Sequence, residues 1–368
     1  MRRGRAATLA LGALSCALAL LLAEGLVRAF FPQPLRPAWD DDQDGLRVAR
    51  PGVRGRHLQP HAFDVQVTIN AQRLRARRVY APAPPPGTTR LAVLGDSMTF
   101  GWGADDDATY PARVEQALQR SGMAAEVINA GFPGTSAGEK VAWYEAGVRG
   151  LHPRVVVLTL LGDDVDGDLY WRAFRLEGGQ AVATPPGERA RALRATRSLV
   201  ARIPGSAALA AHSEAFGLLR RALTRLVSRE RTGALGQRPA TPEEVRRFRA
   251  EGLPLLGAEI ARLQRLTAED GARLALVFIP FRQGVYPDGS DFWAQELRWK
   301  SQAIVEETQG EAQALNLPFL DVTPALAARA RTGPALYHQG AETHPTPAGY
   351  QAIADEVTAF LRAARLVP

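Results

Sequence analysis

The chain has 368 residues, of which 46% are hydrophobic and 23% charged, and this composition excludes wholesale disorder. A single cysteine, Cys16, excludes an internal disulfide and a cysteine-based metal site. The net charge of +7 comes mainly from arginine; it indicates either attraction to an anionic membrane or polymer, or a genome that favours arginine over lysine. No zinc-knuckle, homeodomain or RNP-like pattern accompanies this charge, so we expect no nucleic acid partner.

The N-terminus has the pattern of a membrane anchor. Three arginines precede an uncharged run at residues 6–23, and apolar residues continue to position 31. A helix of this length spans the ~30 Å of a bilayer core at 1.5 Å per residue. We therefore predict a transmembrane helix over residues 1–31, with a cytoplasmic N-terminus and the rest of the chain on the periplasmic side of the inner membrane. A cleaved signal peptide is the alternative; lipidation of Cys16 is disfavoured because Ala13 stands where a branched aliphatic residue is needed.

Residues 32–88 are predicted to be a spacer with little structure of its own, since they contain a proline-rich stretch and an acidic run. Within them, residues 63–69 alternate between apolar and polar side chains and predict a strand or hairpin arm.

From residue 89 the pattern alternates between strands and helices. We predict strands at 90–94, 125–129 and 154–161, with helices at 110–120 and 137–148 between them. The third strand is apolar almost throughout, as expected of a strand buried on both faces. This order predicts a parallel sheet with right-handed crossovers.

The alternation stops at residue 166 and resumes near residue 271. Residues 166–270 show no convincing strand and are predicted to be a helical insertion, a possible lid, with helices near 191–203, 207–226 and 241–269. Strands at 273–279 and 318–321 and helices at 295–315 and 347–366 complete the chain. The predicted fold is an α/β three-layer sandwich with a five-stranded parallel sheet, formed by residues 89–165 and 271–366.

Chemistry-bearing residues follow the strands in four blocks. They are Gly95-Asp96-Ser97, Asn129-Ala130-Gly131, Gly162-Asp163-Asp164 and His344-Pro345. In order and placement these blocks resemble the SGNH/GDSL hydrolases, whose sheet domain has a flavodoxin-like fold. The N-terminal span and the helical insertion are similar to those of bacterial envelope members.

The resemblance implies a serine esterase without a metal or other cofactor. Ser97 is the expected nucleophile and His344 the expected base. The backbone N–H groups of Ser97 and Gly131, with a side chain of the third block, are expected to form the oxyanion hole. Asp96 is expected to support the loop rather than to transfer protons.

This sequence departs from the family pattern at two positions. Asp163 stands where the family has asparagine, and it can donate a hydrogen bond to an oxyanion only when it is protonated. Ala341 stands where the family usually has the triad aspartate, which leaves Glu342 as the nearest carboxylate. Both Asp163 and Glu342 therefore remain open as site residues.

Each candidate has a purely structural alternative. Ser97 can be a helix cap, Gly131 a turn glycine and His344 a loop residue, with His338 as the nearest rival base. The acidic run from Asp163 to Asp168 lacks the glycine and distal glutamate of a calcium loop, so no metal is expected.

The sequence supports three functional hypotheses. The first is an O-acyl esterase, acting on acetyl or other small acyl groups of a cell-envelope glycan or lipid. The second is an O-acyltransferase that moves the acyl group to a sugar hydroxyl. The third is a non-catalytic carbohydrate-binding scaffold, motivated by Asp163 and Ala341.

Overall fold

The computed structural model describes residues 2–196, 205–228, 239–286, 292–339 and 343–367. In that part of the chain the strands are β1 Asp40–Gln43, β2 Leu46–Ala49, β3 Arg54–Gln59, β4 Phe63–Thr68, β5 Thr89–Gly95, β6 Ala125–Gly131, β7 Val155–Leu160, β8 Phe174–Glu177, β9 Gln180–Ala183, β10 Arg273–Phe278 and β11 Phe319–Asp321. The α-helices are α1 Arg2–Phe30, α2 Ser97–Phe100, α3 Tyr110–Arg120, α4 Ala137–Trp143, α5 Asp164–Trp171, α6 Pro186–Thr196, α7 Ser206–His212, α8 Glu214–Ser228, α9 Pro242–Arg247, α10 Leu253–Glu269, α11 Arg282–Val285, α12 Phe292–Ala314, α13 Thr323–Arg329 and α14 Pro347–Ala363.

The centre of the fold is a five-stranded sheet in the order β11-β10-β7-β5-β6, with every neighbouring pair parallel. The prediction of a five-stranded parallel sheet is confirmed. Because the strands are parallel, the loops after β5, β6 and β7 emerge at one edge of the sheet, where α/β proteins build their sites.

Side chains of the central strands alternate between two apolar layers. One face, with Leu94 and Leu158, packs against α4, α10 and α12. The other face, with Val93 and Val157, packs against α3, α13 and α14. These two layers make the predicted α/β/α sandwich and bury β7, the middle strand of the sheet, along its whole length.

Residues 35–80 form a structured unit, which we call the N-terminal module, and they are not the weakly structured spacer that the proline and charge content predicted. The strand expected at 63–69 is present as β4 and pairs with β3, while β1 pairs with β2. The module packs on the sandwich through Trp39, which is 0% exposed, and through a buried ion pair of Arg75 and Asp106 at 3.0 Å. Packing on the sandwich supplies the stability that four short strands lack on their own.

The region between β7 and β10 differs from the expected helical insertion in two ways. It contains an antiparallel hairpin, β8 and β9, where no strand was predicted. Its last helix, α10, packs in the apolar layer against the sheet and so belongs to the sandwich. Residues 197–204 and 229–238 of the expected lid lie outside the described residues.

Helix α1 contains a 21-residue apolar segment, Ala10–Phe30, none of which is buried in the protein. Its length and composition suit a membrane span, and a signal sequence has the same properties.

Candidate active site

The loop after β5 presents Ser97 at the edge of the sheet. Asp96 caps helix α2, because its Oδ1 accepts a hydrogen bond from the Met98 N–H at 2.9 Å. Ser97 is the first residue of α2 and its side chain lies 3.2 Å from Asp96 Oδ2. The N–H of a residue in the first turn has no partner within its own helix, so the Ser97 N–H is of the type that binds an oxyanion.

The loop before α14 brings His344 to the same point. A bridge between Tyr337 and Pro345 and a bond from the His338 N–H to the His344 carbonyl, at 2.9 Å, hold this loop. His344 Nε2 lies 2.9 Å from Ser97 Oγ, although 247 positions separate the two residues. A neutral imidazole at this distance can accept the proton of the Ser97 hydroxyl. The same hydroxyl also lies within hydrogen-bond distance of Asp96.

The other sequence candidates around His344 are placed differently. The ring of His338, the rival base, packs near Phe63 with centroids 5.9 Å apart, and it is His344 that contacts Ser97. Glu342 and Ala341 lie outside the described residues, so Glu342 as the triad acid stays a prediction.

Gly131 ends β6 directly beneath helix α2. Its N–H donates to Asn129 Oδ1 at 3.1 Å, and Asn129 Nδ2 donates to the Thr99 carbonyl at 2.8 Å. Binding an oxyanion with the Gly131 N–H therefore requires this bond to be shared or opened. The structure also shows a role of Gly131 that the sequence did not reveal. Because Gly131 has no side chain, helix α2 can lie directly against the sheet.

Replacing Gly131 with alanine should destabilise the protein. A Cβ at this position would lie 2.4 Å from the Phe100 nitrogen and 2.8 Å from the Thr99 carbonyl carbon, and backbone atoms cannot move aside cheaply. We expect the free energy of unfolding to fall by roughly 2–3 kcal/mol, a typical cost of overpacking. Urea denaturation measures this change, and Gly150→Ala, where a Cβ meets nothing within 4 Å, is the matched control. Equal stability of the two variants would contradict the tight packing described here.

Asp163 follows β7, and the negative charge of Asp96 in the loop that carries Ser97 acts on its carboxyl. Asp163 is an exposed residue, yet desolvation by the surrounding protein, followed by the negative charges of Asp96 and Asp164, raises the pKa of its carboxyl to about 8. A protonated carboxyl has an O–H that can donate where the family uses an asparagine amide.

This raised pKa predicts a pH dependence that asparagine should abolish. If the Asp163 O–H stabilises the oxyanion, kcat should fall as pH rises through about 8, because ionisation replaces a donor with a negative charge. Loss of one oxyanion donor typically costs ~10²–10³ in rate. Asp163→Asn should keep its activity to higher pH, and pH–rate profiles of both proteins, corrected for spontaneous ester hydrolysis, measure the difference. Identical alkaline limbs would exclude Asp163 from the oxyanion hole.

The acidic residues after Asp163 are held by protein groups. Asp164 and Lys140 form a buried ion pair, with Nζ at 2.5 and 2.7 Å from the two carboxylate oxygens. Lys300 Nζ lies 2.7 Å from Asp166, and Asp168 accepts a hydrogen bond from the Gly138 N–H at 2.8 Å. Lys140 thus fixes the start of the loop that carries Asp163.

Sequence reasoning did not single out two residues of this region. Trp102 stacks on the His344 ring, and Lys140 pairs with Asp164 beneath the third block. A lysine inside an apolar helical segment was a signal for a buried ion pair, whereas no spacing rule predicts the stack of Trp102 on His344.

Comparison with known proteins agrees with this arrangement. The sequence profile of the GDSL-like lipase/acylhydrolase family matches residues 93–352. No curated protein matches the chain significantly.

Solved structures that the chain is similar to have low sequence identity to it. A protein described as lipolytic and of the G-D-S-L family from Desulfitobacterium hafniense DCB-2 is 14% identical, with 74% of this chain and 99% of that chain covered and a TM-score of 0.41. A lipase/acylhydrolase from Enterococcus faecalis is 14% identical, with 75% and 96% covered and a TM-score of 0.41. A catalytic variant of the acetylxylan esterase Axe2 from Geobacillus stearothermophilus is 18% identical, with 74% and 93% covered and a TM-score of 0.40.

The family profile covers more than half of the chain, including the blocks that carry Ser97 and His344. The chain therefore belongs to the GDSL-like lipase/acylhydrolase family and is an ester hydrolase of the SGNH/GDSL type.

Proposed function

We propose that this hydrolase removes small O-acyl groups, such as acetyl, from a glycan or lipid of the cell envelope through an acyl-enzyme on Ser97. The observation that carries the proposal is the 2.9 Å contact between His344 Nε2 and Ser97 Oγ.

The reaction follows from this geometry in two steps. Ser97 Oγ attacks the ester carbonyl carbon while its proton passes to His344 Nε2, and the imidazolium then gives that proton to the departing alkoxide. The acyl group remains as an ester of Ser97. Water, deprotonated by His344, attacks this ester and releases the carboxylic acid with Ser97 restored.

The oxyanion formed in each step needs fixed donors. The Ser97 N–H at the start of α2 and the protonated Asp163 side chain supply two in this proposal. Both lie at the carboxyl ends of neighbouring strands, β5 and β7, on the sheet edge where the loops converge.

We further propose that α1 is retained as a single-pass inner membrane anchor, with the hydrolase domain in the periplasm. Contacts at the end of α1 support retention. Glu24 accepts hydrogen bonds from Ser213 Oγ at 2.7 Å and from the Glu214 N–H at 2.9 Å at the start of α8, and Arg28 donates to the His212 carbonyl at 2.8 Å. Cleavage after this segment would remove an acceptor that orders α8.

Product analysis tests the proposed reaction. Full-length protein in detergent is given an O-acetylated xylo-oligosaccharide, with and without an excess of unacetylated oligosaccharide as acceptor, and free acetate is measured. We expect acetate release that does not depend on the acceptor. The carboxylester series p-nitrophenyl acetate, butyrate and octanoate should show kcat/KM falling with chain length.

Two outcomes would favour the other functions. Acyl transfer to the acceptor with little free acetate would make the protein an O-acyltransferase that shares the Ser97 intermediate. Absence of turnover in both the parent protein and Asp163→Asn, with retained oligosaccharide binding, would favour a carbohydrate-binding scaffold.

A further inference from the structure

We infer that Trp102 is the positioning residue for His344: its indole holds the imidazole against Ser97 and stabilises the imidazolium that forms during acyl transfer. This inference rests on the proposed function, because it concerns the base of that reaction. It assigns a role to a residue outside the Ser, Gly and His positions of the four blocks.

The stacking geometry restrains the catalytic ring. The ring centroids of Trp102 and His344 are 5.2 Å apart and the planes differ by 21°, which is an offset parallel stack. Rotating the imidazole out of this plane would lose the stacking contact as well as the 2.9 Å contact of Nε2 with Ser97. The productive orientation is therefore the one in which both contacts are made together.

Trp102 is itself fixed from three directions. The backbone N–H of Trp102 donates to the Ser97 carbonyl at 3.0 Å, and the backbone carbonyl of Trp102 accepts a hydrogen bond from the Tyr350 hydroxyl of α14 at 2.8 Å. From the N-terminal module, Trp39 and His57 meet the indole edge-on, with centroid distances of 5.8 and 4.6 Å. Through these two rings the N-terminal module packs against Trp102, so residues 35–80 take part in positioning His344.

The chemistry of the acylation step makes this stack more favourable in the transition state. When the Ser97 proton reaches Nε2, the neutral imidazole becomes a cation, and a cation is attracted to the face of an aromatic ring, most strongly to tryptophan. The substrate makes no part of this interaction. Loss of the indole should therefore lower kcat and leave KM nearly unchanged.

Other ionisable groups surround the stack and stay in place in the test below. Asp96 faces His344 across Ser97, His57 lies behind the indole, and His338 is bonded through its backbone to the His344 carbonyl. Because none of them is changed in Trp102→Leu, a loss of kcat reports on the indole.

The test compares Trp102→Leu with Trp102→Phe. With p-nitrophenyl acetate, Trp102→Leu should lose about tenfold in kcat with KM within about twofold, because the imidazolium of the transition state loses its aromatic neighbour. Trp102→Phe should recover most of the lost kcat. Phe360→Leu, which removes a partly buried aromatic ring near the end of α14, is the control for loss of an aromatic residue and should behave like the parent.

A measurement on the parent protein does not depend on the variants folding. The ring protons of His344, assigned by their absence in His344→Gln, should resonate upfield of those of ordinary histidines, because the imidazole is stacked on the indole with centroids 5.2 Å apart. An ordinary chemical shift overturns the inference, as does parental kcat in Trp102→Leu. If Ser97→Ala is inactive while Trp102→Leu is normal, only the role of Trp102 fails; if Ser97→Ala stays active, the proposed function itself fails.

Discussion

Replacing Ser97 with alanine should lower kcat for p-nitrophenyl acetate by about 10⁴-fold or more, because no other atom then forms the acyl-enzyme. His344→Ala should cost a similar factor, since the hydroxyl at 2.9 Å from Nε2 would lose its base. The two residues act as one unit, so the double variant should be no slower than the slower single variant. Steady-state kinetics of the four proteins at one pH give this comparison.

The control for this experiment is Ser121→Ala, at the end of α3 and away from the sheet edge that carries the site. It should keep parental kcat. Single variants that retain more than a tenth of parental kcat, or factors that multiply in the double variant, would show that Ser97 and His344 do not work together.

Replacing Lys140 with methionine should lower the free energy of unfolding by about 3–5 kcal/mol, the usual result of breaking a buried ion pair by removing one partner. Lys140 and Asp164 are each 2% exposed, and Lys140 also donates to the Thr159 carbonyl at 3.0 Å. Without Lys140 the Asp164 carboxylate is left uncompensated among apolar layers. Urea denaturation at neutral pH measures the loss.

The double variant Lys140→Met with Asp164→Asn separates charge from packing. It should recover much of the lost stability, because the buried charge is gone. The pKa of Asp164 is already raised to about 6 by burial, with Lys140 opposing the rise, so Lys140→Met alone should regain stability as pH falls and the carboxyl takes up a proton. A cost below about 1 kcal/mol at neutral pH, in the range of exposed pairs, would contradict the buried pair.

The sandwich was predictable from the sequence because its inner strands are buried on both faces. Such strands are short continuous apolar runs, as at residues 155–160, and the amphipathic helix α3 lies between the first two of them. Helix α3 begins and ends where the sequence predicted, since Thr109 caps it and Pro111 lies in its first turn.

The N-terminal module was not predictable in the same way. Its strands are four to six residues long and rich in charge, as in β1 and β3, so they carry little periodic signal. Tertiary contacts stabilise these strands: Trp39 packs on Phe100 and Trp102, and Arg75 pairs with Asp106. Contacts between distant segments leave no local pattern in the sequence.

The active site, like the fold, has some residues that sequence patterns predict and others that only tertiary contacts bring together. Ser97 and His344 could be named because each stands in a block with a recognisable order, and the structure brings the two side chains together. Asp163 was recognised as a departure, and its raised pKa follows from neighbours that only the fold brings near it. The stack of Trp102 on His344 depends on ring orientation, which the spacing of residues does not determine.

The central claim is that Ser97 is a nucleophile activated by His344, and covalent labelling tests it most directly. Full-length protein is treated with a fluorophosphonate, digested, and the modified peptide identified by mass spectrometry. The mechanism predicts one phosphonylated residue, Ser97, with labelling absent in Ser97→Ala and slowed by orders of magnitude in His344→Ala. Modification that persists in Ser97→Ala, or that is found on another residue in the parent protein, would contradict it.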